Sequence, residues 1–246
     1  MTNNRLYINY LKLEKLRKNR LGRPRPYLAF HKNLDLILEL NKIVSKSSKN
    51  KNVLNELRKL EIIGLVTTIE TDLRDLLLKL VDEGNIKLSE KTLNKMGKYK
   101  FANISIMLVN GYTIGELLAS SYNFQNLSNI KNIFNEILEI DTFSEFRKFL
   151  SLPEIKSDFN VHDSIYVSFI KNLENTLEML LQNRHDIVHD INFKASYSQD
   201  KFINFLFFTH IFLDYFHRFI LEFIKTHINE KFDQKSAKRL LRKYYI

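Results

Sequence analysis

The chain has no cysteine in 246 residues. That removes disulfides, Cys-ligated zinc and iron–sulfur clusters together, and it fits a reducing compartment. Turn-forming residues are scarce as well, with six glycines and three prolines. All-β folds need many tight turns, so this scarcity points to helices joined by short loops. Long hydrophobic runs are missing too. The most apolar window, residues 202–224, is interrupted by Asp214, His217, Arg218 and Glu222, which reads as a buried helix and not a membrane span. No signal-peptide core follows Met1-Thr-Asn-Asn-Arg5, so the expectation is no secretion signal and no membrane.

What is present is ordinary for a globular protein: 44% hydrophobic and 27% charged residues. The formal charge of +10 is unevenly placed. Residues 1–50 hold twelve Lys/Arg against three Asp/Glu, and residues 231–246 hold six against one, so the remaining 180 sum to −4. Basic ends of this kind concentrate a polyanion, RNA or DNA first. Solvated lysine-rich helix faces are the plainer reading. No aromatic-plus-glycine signature of a single-strand binder accompanies the charge.

Periodicity gives an all-α chain, with no convincing strand alternation and no internal repeat. Residues 3–20 form an amphipathic pattern with Leu6, Tyr10, Leu13 and Leu16 on one stripe, ended at Gly22-Arg-Pro-Arg-Pro26. A second short helix is expected over residues 31–44, and the polar run 45–52 reads as a linker. The expected organisation is a basic helical extension over 1–50, a helical domain over 51–230 and a basic helix over 231–246. In the long helix 53–83, Ile62, Leu65, Val66, Ile69, Leu73, Leu76, Leu77 and Leu80 make the core stripe. Glu70 lies at its edge, either as a solvated carboxylate or as the partner of a buried cation. Gly84-Asn85 resembles a C-cap and Ser89 an N-cap. Thr113 with Glu116 reads as a capping box for a helix over 114–122, and further helices are expected over 126–140 and 142–150. Residues 151–161, which contain Pro153, read as a loop. Asp163 then opens a long helix, and the last large helix covers 200–227.

The helix from Asp163 ends on Leu181-Gln-Asn-Arg-His-Asp-Ile-Val-His-Asp190. Its stripe of Tyr166, Phe169, Ile170, Leu173, Leu177, Leu180 and Leu181 steps by three and four. The next steps land on Arg184 and Val188, which puts arginine where the pattern calls for leucine. Arginine is seldom buried without an anion to meet it. At 100° per residue, Arg184 and His189 lie about 140° apart on a straight helix. His185 and His189, at i and i+4, share a face. Three readings stay open. One is an anion site, in which something negatively charged meets Arg184. Another is a metal site from His185, His189 and Asp186 or Asp190, close to His-Glu-x-x-His but lacking a recognisable third ligand downstream. The third is a structural cluster with Arg184 bonded to Glu70 or Asp186. His31, His162, His210, His217 and His227 are scattered and carry no assigned role.

Arg184-His-Asp-Ile-Val-His189 resembles the Arg-x4-His signature of the HEPN superfamily, in which a polar residue, here His185, follows the arginine. The earlier long helix with Glu70 on its apolar face, the motif helix and the apolar helix after it are similar to the HEPN bundle over roughly residues 55–230. The resemblance implies a homodimeric, metal-independent endoribonuclease without cofactor. Arg184 and His189 of each copy would be catalytic, with His185, Asp186 and Glu70 supporting them. Cleavage would leave 2′,3′-cyclic phosphate and 5′-hydroxyl ends. It further implies a cytoplasmic prokaryotic protein of phage defence, abortive infection or a toxin–antitoxin system, with RNA as substrate and an antitoxin or regulatory protein as a further partner. A catalytically silent HEPN module binding nucleic acid or protein is the alternative. The tyrosine that one branch carries two residues after the histidine is Ile191 here, which sets this chain apart from that branch.

Overall fold

A computed structural model describes residues 26–47, 51–83, 92, 107–158, 163–190, 192–195 and 197–227. All of their regular elements are helical: α1 (Pro26–Ser47), α2 (Lys51–Asp82), α3 (Ile114–Ser121), α4 (Leu127–Leu138), α5 (Thr142–Leu150), α6 (Pro153–Asp158), α7 (Asp163–His189) and α8 (Gln199–His227). The all-α expectation holds for them. The expected helices over 3–20 and 231–246, and the caps at Gly84 and Ser89, lie outside the described residues.

α2 is the central element because its apolar stripe is continuous. All eight stripe residues from Ile62 to Leu80 are buried. Around α2 pack α1, α3, α7 and α8. α8 brings the densest apolar surface, with Phe202, Phe205, Phe212, Phe216, Phe219 and Ile220 all buried. Its phenylalanines meet those of α4 and α5 in edge-on and tilted contacts. Phe216 lies 5.1 Å from Phe134 and 5.2 Å from Phe146, both at 86°. Such edge-to-face geometry sets ring hydrogens against the π face, which stabilises the pair beyond the burial of area.

Polar side chains seat the shorter helices. The capping box at Thr113 is present: its hydroxyl accepts the Glu116 N–H, and the Glu116 carboxylate accepts the Thr113 N–H. Asp82, at the end of α2, accepts from the Thr113 hydroxyl at 2.7 Å and from the Gly115 N–H at 2.9 Å. α3 is thereby pinned to α2 by its own N-terminal donors. Asn126 and Asp141 cap α4 and α5. Lys131 of α4 and Arg147 of α5 both bond Glu174 of α7, and the Tyr166 hydroxyl donates to the Leu150 carbonyl.

Two of the three prolines open helices. α1 starts at Pro26 and not near His31, and Pro153 starts α6 inside the expected loop. Proline lacks an N–H, but the first helical position has no intrahelical use for one, and its fixed φ suits the helix. The polar run 45–52 is also largely helical, since α1 reaches Ser47 and α2 begins at Lys51. Leu34 and Ile37 of α1 belong to the common apolar core. Among the described residues no helix is long and apolar enough to cross a membrane.

Candidate functional site

α7 carries the motif, and its apolar stripe behaves as read until the last turns. Tyr166, Phe169, Leu173, Leu177, Leu180 and Leu181 are buried, Arg184 is half-buried, and Val188 is 51% exposed. The stripe therefore runs off the bundle at the motif. The helix does not distort to gather the motif residues. It remains α-helical through His189, and the Asp190 N–H donates to the Asp186 carbonyl at 2.8 Å in the ordinary i to i−4 pattern. The angle of about 140° between Arg184 and His189 is thus retained.

Arg184 falls on the side of α2. It lies within electrostatic reach of Glu70, where it and Arg74 favour the carboxylate. Burial has the larger effect and holds the Glu70 carboxyl above the usual carboxylate range. Glu70 Oε1 is buried and accepts no hydrogen bond, and no direct Glu70–Arg184 ion pair closes within the single chain. The expected pairing exists as a field and not as a bond.

The histidines occupy the other side. His185 and His189 are exposed, with ring centroids 4.4 Å apart and planes inclined by 45°. Asp186 accepts from the Gln182 amide at 2.7 Å. It also adds to the burial that pushes the Tyr197 hydroxyl up to about 12. Asp190 Oδ1 accepts the Asn192 N–H at 2.8 Å and so closes the turn after the helix. Among the described residues, no three His, Cys, Asp or Glu side chains converge as metal ligands, so the metal reading finds no third ligand there. Of the five residues picked from sequence, His185, Asp186 and His189 thus lie on the last turns of α7 with both histidines exposed, whereas Arg184 comes within electrostatic reach of Glu70.

A second titratable group escaped the sequence reading. Three of the apparently scattered histidines meet along the seam of α1, α2 and α8. His217 Nε2 lies 2.6 Å from Asp72 Oδ2, both groups buried, and the His31 and His210 rings are 5.1 Å apart. Asp214 lies within electrostatic reach of His31. Beside this, the Asn41 amide and the Arg58 guanidinium both donate to buried Glu61, at 3.1 and 2.7 Å. The spacing of His210, Asp214 and His217 at i, i+4 and i+7 was the available signal, since it places them on one face. Being buried, the Asp72–His217 pair holds α2 against α8 and is shut off from any substrate.

Comparison with protein-family models, with curated proteins and with solved structures finds no match for this chain.

Proposed function

We propose that the chain is a metal-independent endoribonuclease of the HEPN type that acts as a homodimer. The reading is supported chiefly by the disposition of the motif on an undistorted helix. Two accessible imidazoles stand on one side of α7, and a half-buried guanidinium within electrostatic reach of half-buried Glu70 stands on the other. On a straight helix Arg184 and His189 of one chain leave the axis about 140° apart. Two copies meeting at the ends of their α7 helices would bring the His189 of each toward the Arg184 of the other. The groove between α7 and α8, with Met179 and Phe207 partly exposed, gives a second copy apolar surface on the stretch of α7 ahead of the motif.

The chemistry follows from the residue types. Attack of a ribose 2′-hydroxyl on the adjacent phosphorus breaks the bond to the 5′-oxygen, leaving a 2′,3′-cyclic phosphate and a 5′-hydroxyl. The His189 imidazole removes the 2′-hydroxyl proton and, once protonated, gives a proton to the departing oxygen. Arg184 neutralises charge building on the non-bridging oxygens, which a planar guanidinium does with two parallel donors. Glu70 holds Arg184 on its side of the helix, and Asp186 with His185 shapes the surroundings of His189. The setting that goes with this reading is a prokaryotic cytoplasm and a role in phage defence or a toxin–antitoxin pair, with an antitoxin or regulator as partner.

Cleavage of RNA by the purified protein in excess EDTA tests this directly. The expected result is cyclic-phosphate products in EDTA and a loss of about 100-fold or more in both Arg184→Ala and His189→Ala, each still folded. Activity abolished by EDTA, or cleavage unchanged in both variants, overturns it. A silent interaction module, the second reading, draws on the proximity of Glu70 to Arg184 and predicts RNA or protein binding with no cleavage in any form.

A further inference from the structure

The outer side of the α1/α2 pair bears an apolar face that packs against none of the other described helices. On α1, Leu36, Leu40 and Ile43 recur at i, i+4 and i+7, and on α2 Val53, Leu57 and Leu60 do the same. The helices run antiparallel, with Asn41 bonded to Glu61 and Ile37 set against Gly64, where an added Cβ would lie 3.2 Å from the isoleucine. Measured from that seam, both triplets fall to the same side. The opposite side is the one α8 covers, where the Arg58 guanidinium lies over Phe202. Leu36, Ile43, Val53 and Leu60 are 59%, 60%, 47% and 56% exposed. Together they present apolar surface on the order of a few hundred Å², the size that marks an interaction site.

We propose that the occupant of this face is the chain's own residues 6–16. The area decides against a second copy, since a stable interface between separate molecules buries about 800 Å² on each partner. A tethered segment does not bear the full cost of association, because its effective concentration reaches the order of millimolar. The segment has the complementary pattern: Leu6, Tyr10, Leu13 and Leu16 at helical spacing, close ahead of α1. The reach suffices as well. The nine residues 17–25 extend over about 30 Å, and Ile43 lies about 26 Å along α1 from Pro26. Residues 1–25 hold eight Lys/Arg and one Glu, while Glu39 and Glu56 at the margins of the face are each paired with a lysine of their own helix, Lys42 and Lys59. With the stripe turned inward, the lysines and arginines face outward. Docking thus converts an apolar hairpin face into a basic one, the kind of surface that gathers a polyanion. None of this rests on the nuclease reading.

The absence of native cysteine makes the test clean. Full-length protein carrying Leu13→Cys and Leu60→Cys is oxidised mildly and run on a non-reducing gel. The expected product is an intrachain cross-link that migrates differently from the reduced chain without doubling in mass, and that Leu36→Glu diminishes. Asn132→Cys, on the exposed side of α4, replaces Leu60→Cys as the control. Equal intrachain cross-linking in the control overturns the proposal as random collision. A product of double mass assigns the face to a second copy instead. No cross-link while both thiols still react with a maleimide leaves the face to a foreign partner and equally overturns it.

Discussion

His31 shows how one side chain can carry a pH dependence for the whole fold. Burial lowers its pKa from 6.5, the neighbouring His210 lowers it further, and Asp214, Asp35 and Asp72 oppose both without cancelling them. Above about pH 6.5 the ring is neutral whether the chain is folded or unfolded, so it contributes no slope. Below that, the unfolded chain takes up a proton that the folded chain resists, and stability falls as pH drops. Thermal unfolding followed from pH 7.5 to 5.5 is expected to show a smaller loss of Tm in His31→Asn than in the unaltered chain. An identical slope in the two proteins sinks this account. The lone histidine was visible in the sequence, but its neighbours were not, because His210 and Asp72 reach it from other helices.

Helices were legible wherever one apolar stripe decided them. The α2 stripe, the α7 stripe and the capping box at Thr113 all stand as the spacing indicates. The misreadings were of proline, which excludes a helix behind it but suits the start of one. Contact between helices was legible only in the approach of Arg184 to Glu70, and Gly115 illustrates why the rest was not. Its sequence context suggests only a helix start. In the fold, an added Cβ would sit 2.5 Å from Asp82 Oδ1 and 2.6 Å from the Leu78 carbonyl. The backbone carbonyl cannot swing aside, so the N-terminus of α3 must shift and strain the Asp82 bonds. Gly115→Ala is therefore expected to cost about 1–3 kcal/mol. For a protein of this size that is a fall in Tm of roughly 3–10 °C. A Tm within about 1 °C of the parent refutes the close approach.

At the scale of the molecule, the proposed nuclease depends on two chains. If each site draws Arg184 from one copy and His189 from the other, the defective variants complement each other. Equimolar Arg184→Ala and His189→Ala proteins, unfolded together and refolded, are expected to recover a substantial fraction of the lost cleavage. Each heterodimer retains one site with both residues intact. Failure to recover activity, with heterodimers demonstrated by differential tagging, shows that the residues act within one chain and removes the composite site. The rigidity of α7 is what puts this question, since a bent helix end would have let one chain suffice.

The sequence alone determined the helical class, the long stripes of α2 and α7, and the motif at the end of α7. Each of these depends on local periodicity, and a helix imposes its 3.6-residue repeat on whatever it buries. Only the tertiary structure decided that Arg184 comes within electrostatic reach of Glu70 while His189 is exposed, that Asp72 meets His217 across 145 positions, and that the described residues leave apolar side chains exposed on one side of the α1/α2 pair. Those outcomes depend on which helices pack together and at what rotation. That choice minimises exposed apolar surface over the whole chain, and no window of residues contains it.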